Sequence, residues 1–220
     1  ILERARKEVG NLAHALKTPL SVIVNESDED TPLAHKVREQ AAVMRDQVNW
    51  YLERARAAAR AGTLGSATDI EPVIAGLVRA FEKIYRDRAL AFILDVPPGL
   101  KFRGEKQDLE EMAGNLIDNA GKWASSEIRI TASSGDDGFI VLSVTDDGPG
   151  LPEQARTEAL ARGKRLDESK PGSGLGLSIV ADLVALYGGT LTLDAAQPRG
   201  LIACLRLPAI GGSTAGLNPV

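Results

Sequence analysis

Two hydrophobic seams, one behind the other, dominate the first sixty residues and then stop. Leu2, Ala5, Val9, Leu12, Leu16, Leu20 and Ile23 recur at steps of three and four, the spacing of one helical face and close to a heptad. Leu33, Val37, Ala41, Met44, Val48, Tyr51 and Ala55 repeat the pattern. The polar stretch between them, residues 25–31 (NESDEDT), reads as a turn, with Thr31 as N-cap and Pro32 as the first residue of the second helix. Pro19 lacks an N–H and is expected to kink or loosen the first arm. Gly62 and Gly65 end the second. Two helices alone bury little surface, so the stable form expected for residues 1–62 is a dimer in which two hairpins make a four-helix bundle.

Past a short Gly/Ser/Thr linker the period changes. The spacing predicts a helix over 70–89, a strand over 91–96 stopped by Pro97-Pro98-Gly99, and a helix over 106–123. Strands over 127–133 and 139–146 follow, joined by Gly135-Asp136-Asp137-Gly138. A long polar stretch, 148–173, leads to a helix over 175–187 that Gly188-Gly189 ends, and then to strands over 190–195 and 201–207. The expected architecture is thus multidomain, α then α+β: the hairpin, an α/β sandwich over 66–208, and a Gly-rich, disordered tail over 209–220.

Charge narrows the function. The net charge is −4, from 26 Lys+Arg against 30 Asp+Glu, which argues against nucleic acid and against direct membrane-surface contact. Residues 1–62 carry ten basic and nine acidic residues, about +1, and the remainder sixteen and twenty-one, about −5. Cys204 is the one cysteine and cannot form an internal disulfide, so a reduced, cytoplasmic setting is expected. No apolar run approaches the roughly 20 residues that span a bilayer. The chain begins Ile1-Leu2-Glu3-Arg4, without Met and already in helical pattern, which we read as a portion of a longer protein.

Three motifs carry chemistry. Asn115, Asn119 and Lys122 lie at i, i+4 and i+7, on one face of the helix whose core stripe is Leu109, Met112, Leu116 and Ala120. Asparagine is a poor helix former. Its carboxamide oxygen suits Mg²⁺, a hard cation that takes further ligands from water and phosphate, and the lysine one turn on would reach those phosphates. A polar surface stripe has the same spacing. Next, Asp146-Asp147-Gly148-Pro149-Gly150 follows an apolar strand. A carboxylate there can accept from an exocyclic amine, with glycines allowing close approach to a flat ring, although an acidic turn is also compatible. Last, Gly172-Ser173-Gly174-Leu175-Gly176 opens a helix, where exposed N–H groups and the positive dipole end favour phosphate. It is neither a Rossmann fingerprint nor a P-loop.

In this order and on these elements, the three motifs resemble the N, G1 and G2 boxes of the Bergerat (GHKL) ATP-binding fold shared by sensor histidine kinases, Hsp90, type II topoisomerases and MutL. The resemblance implies an ATP site in which Asn115 and Asn119 hold Mg²⁺, Lys122 meets phosphate and Asp146 reads the adenine amine. Trp123, Gly148, Gly150, Gly172, Gly174, Leu175 and Gly176 complete its contacts. The loop between Leu151 and Pro171 would be the ATP lid, with Arg162 and Lys170 clamping phosphates.

The hairpin then selects a family. Leu12-Ala13-His14-Ala15-Leu16-Lys17-Thr18-Pro19-Leu20 resembles the H box of histidine kinases. With Leu2, Val9 and Leu16 at a and Ala5 and Leu12 at d, His14 falls at f, the most exposed heptad position. An Hsp90- or MutL-type ATPase leaves this hairpin unexplained. His35 lacks such context and reads as a plain surface residue. Arg103-Gly104-Glu105, Asn119-Ala120-Gly121-Lys122-Trp123 and Arg162-Gly163-Lys164-Arg165-Leu166-Asp167 resemble the PhoQ-like branch. The resemblance implies that His14 takes the γ-phosphoryl of ATP and passes it to an aspartate of a response regulator, within the cytoplasmic portion of a bacterial inner-membrane sensor. Lys17 and Thr18 lie beside the phosphoacceptor, and Thr18, at i+4, would orient water for dephosphorylating the regulator; a Thr hydroxyl bonding back to its helix is the alternative. Ala15 departs from the family's usual acidic residue, which leaves open an ATP-gated scaffold with weak or no phosphotransfer.

Overall fold

The structure is a computed structural model that describes residues 66–159 and 176–210, together with residues 23, 31, 33–38, 40, 41 and 44. Of the hairpin seams only Ile23, Leu33, Val37, Ala41 and Met44 are among the described residues, Ala41 buried and Ile23, Leu33 and Met44 exposed; the kink at Pro19 and the dimer lie outside them. What is described of the second arm agrees with its expected start: residues 33–38 are helical, the Thr31 hydroxyl accepts from Ala34 N at 3.1 Å, and the Thr31 carbonyl accepts from His35 N at 3.0 Å. That is N-cap geometry. His35 is exposed, with its Nδ1 3.4 Å from the Arg38 guanidinium.

Alternation builds the sheet. Thr68–Asp69 (β1) pairs antiparallel with Lys101–Phe102 (β3) as a small separate ribbon. The main sheet holds Ala91–Asp95 (β2), Glu127–Ser134 (β4), Phe139–Asp146 (β5), Thr190–Ala195 (β6) and Leu201–Pro208 (β7), in the order β2-β4-β5-β7-β6. Only the β2–β4 pair is parallel. Because side chains alternate faces, β4 buries Ile128, Ile130 and Ala132, β7 buries Leu201, Ala203, Leu205 and Leu207, and β5 buries Ile140, Leu142, Val144 and then Asp146. Leu142 stands opposite Ala132 on one side and Leu205 on the other, at the centre of the core.

Helices cover that face: Ile70–Ile84 (α1), Lys106–Trp123 (α2) and Gly176–Leu186 (α4), with the short Glu153–Ala159 (α3) beside β6. Helix α2 packs against both α1 and α4. Its expected stripe of Leu109, Met112, Leu116 and Ala120 is buried, and Ala113 and Ile117 are buried too, because a helix with neighbours on two sides and a sheet beneath needs a wider apolar arc. Each large side chain so buried contributes about 1.5–3 kcal/mol. Helix α4 ends in a Schellman motif: Gly188 N donates to Ala185 O and Gly189 N to Val184 O, both at 3.0 Å, with Gly188 at φ +70°. Among the described residues no helix is long and apolar enough to cross a membrane.

Several boundaries differ from expectation. Helix α1 stops at Ile84, not 89; Arg86–Arg88 forms a 3-10 turn and Ala89 takes φ +50°. The run Arg86-Asp87-Arg88 has nothing apolar to bury, so the helical face ends. Strands β1 and β3 have two residues each, too few for alternation to show. Helix α3 lies within the stretch expected as polar loop; Arg156 N donates to Pro152 O at 3.0 Å at its entry, and Ala159 is its buried residue. Pairing also continues past residue 208: Ala209 N donates to Gly138 O at 2.8 Å and Ile210 N to Lys101 O at 2.9 Å. These two residues therefore belong to the sandwich, not to a tail.

Candidate functional site

The site runs along α2. Asn115 and Asn119 are half-buried on it. The Asn115 carboxamide is oriented: Nδ2 donates to Glu111 O at 2.8 Å, so Oδ1 is the atom turned outward. Opposite it stands Gly176, the first residue of α4; a Cβ there would come 3.1 Å from Asn115 Oδ1. The tertiary structure thus brings Asn115 of the first helix motif against Gly176 of the last glycine motif, so that a hard oxygen donor faces the first residue of α4. That donor set suits Mg²⁺, which takes oxygen ligands in tight geometry.

Lys122, expected to meet phosphate, is ion-paired to Asp118 at 2.6 Å across one helical turn. Asp118 also accepts from the Tyr85 hydroxyl at 2.8 Å. Burial first, and then the Asp118 hydrogen bond and charge, push the Tyr85 hydroxyl above its ordinary pKa. The Tyr85 ring lies against Gly121, leaving no room for a Cβ. Beside it, Arg88 caps α2: Nη1 donates to Gly121 O and, at 3.0 Å, to Lys122 O, while Nη2 donates to Ala124 O at 2.7 Å. These carbonyls have no partner within their own helix, and a planar guanidinium can serve three at once.

At the other end of the site, the two aspartates after β5 part company. Asp146 continues the inward parity of Ile140, Leu142 and Val144 and is 5% exposed. Its Oδ1 accepts from Gly148 N at 2.8 Å. Burial raises its pKa most; the N–H groups of Gly148 and Leu201 oppose that, and the Asp147 charge adds to it. Asp147 faces outward and binds the backbone leaving α2. Its Oδ1 accepts from Ser125 N at 2.7 Å, Ser126 N at 2.9 Å and Glu127 N at 3.1 Å, and its Oδ2 from Ser126 Oγ at 2.6 Å. Desolvation works against its charge, yet these hydrogen bonds prevail and hold the carboxyl well below the usual range.

Glycines let this loop close on its neighbours. A Cβ on Gly148 would sit 2.5 Å from Trp123 O, and one on Gly150 2.6 Å from Gly200 O. Gly200 has φ +116° and lies against the Asp146 carbonyl, a conformation and an approach open to glycine alone. Trp123 is half-buried. Trp123 lies eight positions after Asn115, so the two ends of the site are about 12 Å apart along α2.

Gly104 of the Arg103-Gly104-Glu105 signature has a packing role. A Cβ there would overlap the Phe102 ring and come 2.6 Å from Tyr187 Cε1; the two rings meet edge to face at 4.8 Å. The Tyr187 hydroxyl donates to buried Asp108 in the first turn of α2.

His14, Lys17, Thr18, Arg162, Lys170, Gly172, Gly174 and Leu175 lie outside the described residues. Of the described candidates, Asn115 and Gly176 meet at one end, and Trp123, Asp146, Gly148 and Gly150 gather at the other. Sequence reasoning missed Asp147, Arg88, Tyr85 and Gly200. For Asp147 the signal was present, since strand parity alone separates it from Asp146; for the others only the fold supplies the neighbour.

Residues 104–210 match the family model described as histidine kinase-, DNA gyrase B-, and HSP90-like ATPase. Over 212 residues the chain is 38% identical to sensor protein kinase CarS of Pseudomonas aeruginosa, covering 94% of this chain and 47% of that protein. Over 214 residues it is 35% identical to the two-component sensor PhoQ of the same organism, covering 93% and 46%. The chain therefore spans about half the length of these curated relatives. The solved structure of the mycobacterial sensor histidine kinase MprB matches with a TM-score of 0.59 at 33% identity, covering 66% of this chain and 97% of that one.

Proposed function

This chain belongs to the sensor histidine kinases, as a PhoQ- and CarS-like core with an ATPase-family catalytic domain, and from that premise we propose that it transfers the γ-phosphoryl of ATP to His14. One observation carries the nucleotide part: Asn115 Oδ1 faces Gly176 of α4 midway along α2, while the turn that follows buried Asp146 lies against Trp123 at the C-terminal end of α2. On this reading the phosphates lie at the Gly176 end and adenine at the Asp146 end, where the carboxylate accepts from the exocyclic amine. Asn115 and Asn119 would hold Mg²⁺, which when bound neutralises phosphate charge.

This chain's own residues bind and orient. Lys122 exchanges Asp118 for a phosphate oxygen. The N–H groups opening α4, with Arg162 and Lys170 of the lid, draw the phosphates toward the transfer geometry. Unperturbed imidazole titrates at about 6.5 and so carries a free lone pair at neutral pH; on this reading His14 attacks the γ-phosphorus through Nε2 and ADP leaves. The regulator aspartate then takes the phosphoryl group, and Thr18 orients water when that bond is hydrolysed. Residues 1–62 supply the phosphoacceptor and the homodimer contact, and 66–208 the nucleotide site, within the cytoplasmic part of a bacterial membrane sensor.

Incubation with γ-labelled Mg²⁺-ATP tests this. Acid-labile label on the wild type that disappears in His14→Gln supports it. Tight ATP binding with no label supports instead an ATP-gated scaffold, the reading that Ala15 leaves open. Because Ala15 supplies no general base, Ala15→Glu is expected to speed labelling, by about 10²-fold if base catalysis is restored in full.

A further inference from the structure

Asp147 belongs to none of the roles assigned above, yet it is among the most fully hydrogen-bonded carboxylates described, with Ser125, Ser126 and Glu127 all donating to it. Ser125 and Ser126 lie in the connection from α2 to β4, and Glu127 is the first residue of β4. On its other side Asp147 adjoins Asp146 and Gly148, and Gly148 in turn touches Trp123 O and donates to Asp146 Oδ1 at 2.8 Å. The contacts close a ring: from Trp123 through Ser125 to Asp147, on to Asp146 and Gly148, and back to Trp123.

We propose that Asp147 is a positioning residue for base recognition, tying the exit of α2 to the end of β5 so that Asp146 is held at a fixed place against the bound base. The proposal rests on the reading of this site as a nucleotide site. Asp146 is buried, and its position follows from where the chain enters and leaves it. On the leaving side the only side chain between it and Gly148 is Asp147. Cutting that tether lets the Asp146–Gly148 turn move relative to Trp123.

The consequence falls on which base is chosen. Adenine presents an amine donor at its six position and guanine a carbonyl acceptor. A fixed carboxylate attracts the first and repels the second; a carboxylate free to turn aside does both less. The effect works through geometry more than through charge. Three of the N–H bonds go to Oδ1, an acceptor that an asparagine keeps, while its Nδ2 can donate to the Ser126 hydroxyl. An alanine keeps none of these.

The experiment measures equilibrium binding of Mg²⁺-ATP and Mg²⁺-GTP to the full chain as wild type, Asp147→Ala and Asp147→Asn, with urea unfolding run alongside. The expected result is a wild type that prefers ATP, an Asp147→Ala variant whose preference falls about tenfold, and an Asp147→Asn variant that keeps the wild-type ratio. Equal weakening of both nucleotides in Asp147→Ala would make the residue merely structural and overturn the proposal, as would an unchanged ratio. Should Asp147→Ala not fold, Asp147→Asn decides: loss of the ratio there overturns a geometric role. A wild type that binds neither nucleotide removes the nucleotide-site reading itself, whereas a wild type that discriminates while Asp147→Ala discriminates equally removes only the role of Asp147.

Discussion

Replacing Gly176 with alanine separates the fold from the function. Gly176 opens α4, and its φ is not in the left-handed range, so alanine adopts the same backbone without strain. In a helix interior glycine is about 1 kcal/mol worse than alanine, and at a first turn the gain is smaller. Against it stands the new methyl, 3.1 Å from Asn115 Oδ1 with Asn115 Cγ next at 3.9 Å. Asn115 has to shift a few tenths of an ångström while Glu111 O retains its Nδ2. The two effects are of similar size, so the unfolding free energy changes by less than about 1 kcal/mol. Metal coordination tolerates the shift far less. Magnesium–oxygen bonds of about 2.0–2.1 Å in near-octahedral geometry leave little room for a displaced oxygen with a methyl across it. We expect Mg²⁺-ATP to bind about tenfold more weakly, roughly 1.4 kcal/mol, with adenosine unaffected because the base end is remote. Titration calorimetry with both ligands, beside urea unfolding, reads this directly. Unchanged Mg²⁺-ATP affinity, or a loss of more than about 2 kcal/mol in stability, would refute the geometry inferred for Asn115.

Two further outcomes follow from the same neighbourhood. Arg88→Ala uncovers the carbonyls of Gly121, Lys122 and Ala124 and is expected to lower unfolding stability by about 1–2 kcal/mol. Arg88→Lys restores little of it, since one ammonium cannot serve the three acceptors as a planar fork does; full rescue by lysine in urea unfolding would count against this cap. The Asp147 carboxyl titrates below its ordinary range in the fold and near 3.9 when unfolded. Its charge therefore stabilises the protein above about pH 4, and that contribution is lost as pH falls through the folded value. The stability difference between wild type and Asp147→Asn is full at neutral pH and closes in acid, and a difference that stays constant down to about pH 3 in urea titrations would contradict the hydrogen-bond assignment.

Much of the sandwich was legible in the sequence because alternation and helical spacing report burial directly. The strand over 139–146 is β5 to the residue, and the helix over 106–123 is α2 to the residue. Both have long, clean periods with punctuation at each end. The misread places are those where local signals are short or absent. Two-residue β1 and β3 show no period, and the last turn expected of α1 is replaced by a 3-10 turn where Arg86-Asp87-Arg88 offers no apolar side chain to bury. Helix α3 was hidden by its polar composition, since only Ala159 of it is buried.

The site divides along the same line. Sequence alone singled out the candidate residues: asparagines that helices otherwise disfavour, an aspartate at the inward parity of an apolar strand, and glycines where backbone must come close. Those choices are written in propensity and period, which are local. Only the tertiary structure decided what those residues face. The meeting of Asn115 with Gly176, sixty-one positions apart in the chain, the capping of α2 by Arg88, and the different work of Asp146 and Asp147 all depend on helix packing and strand register. Such contacts join residues whose separation in sequence carries no signal, and they exist because a shared core holds both ends in place.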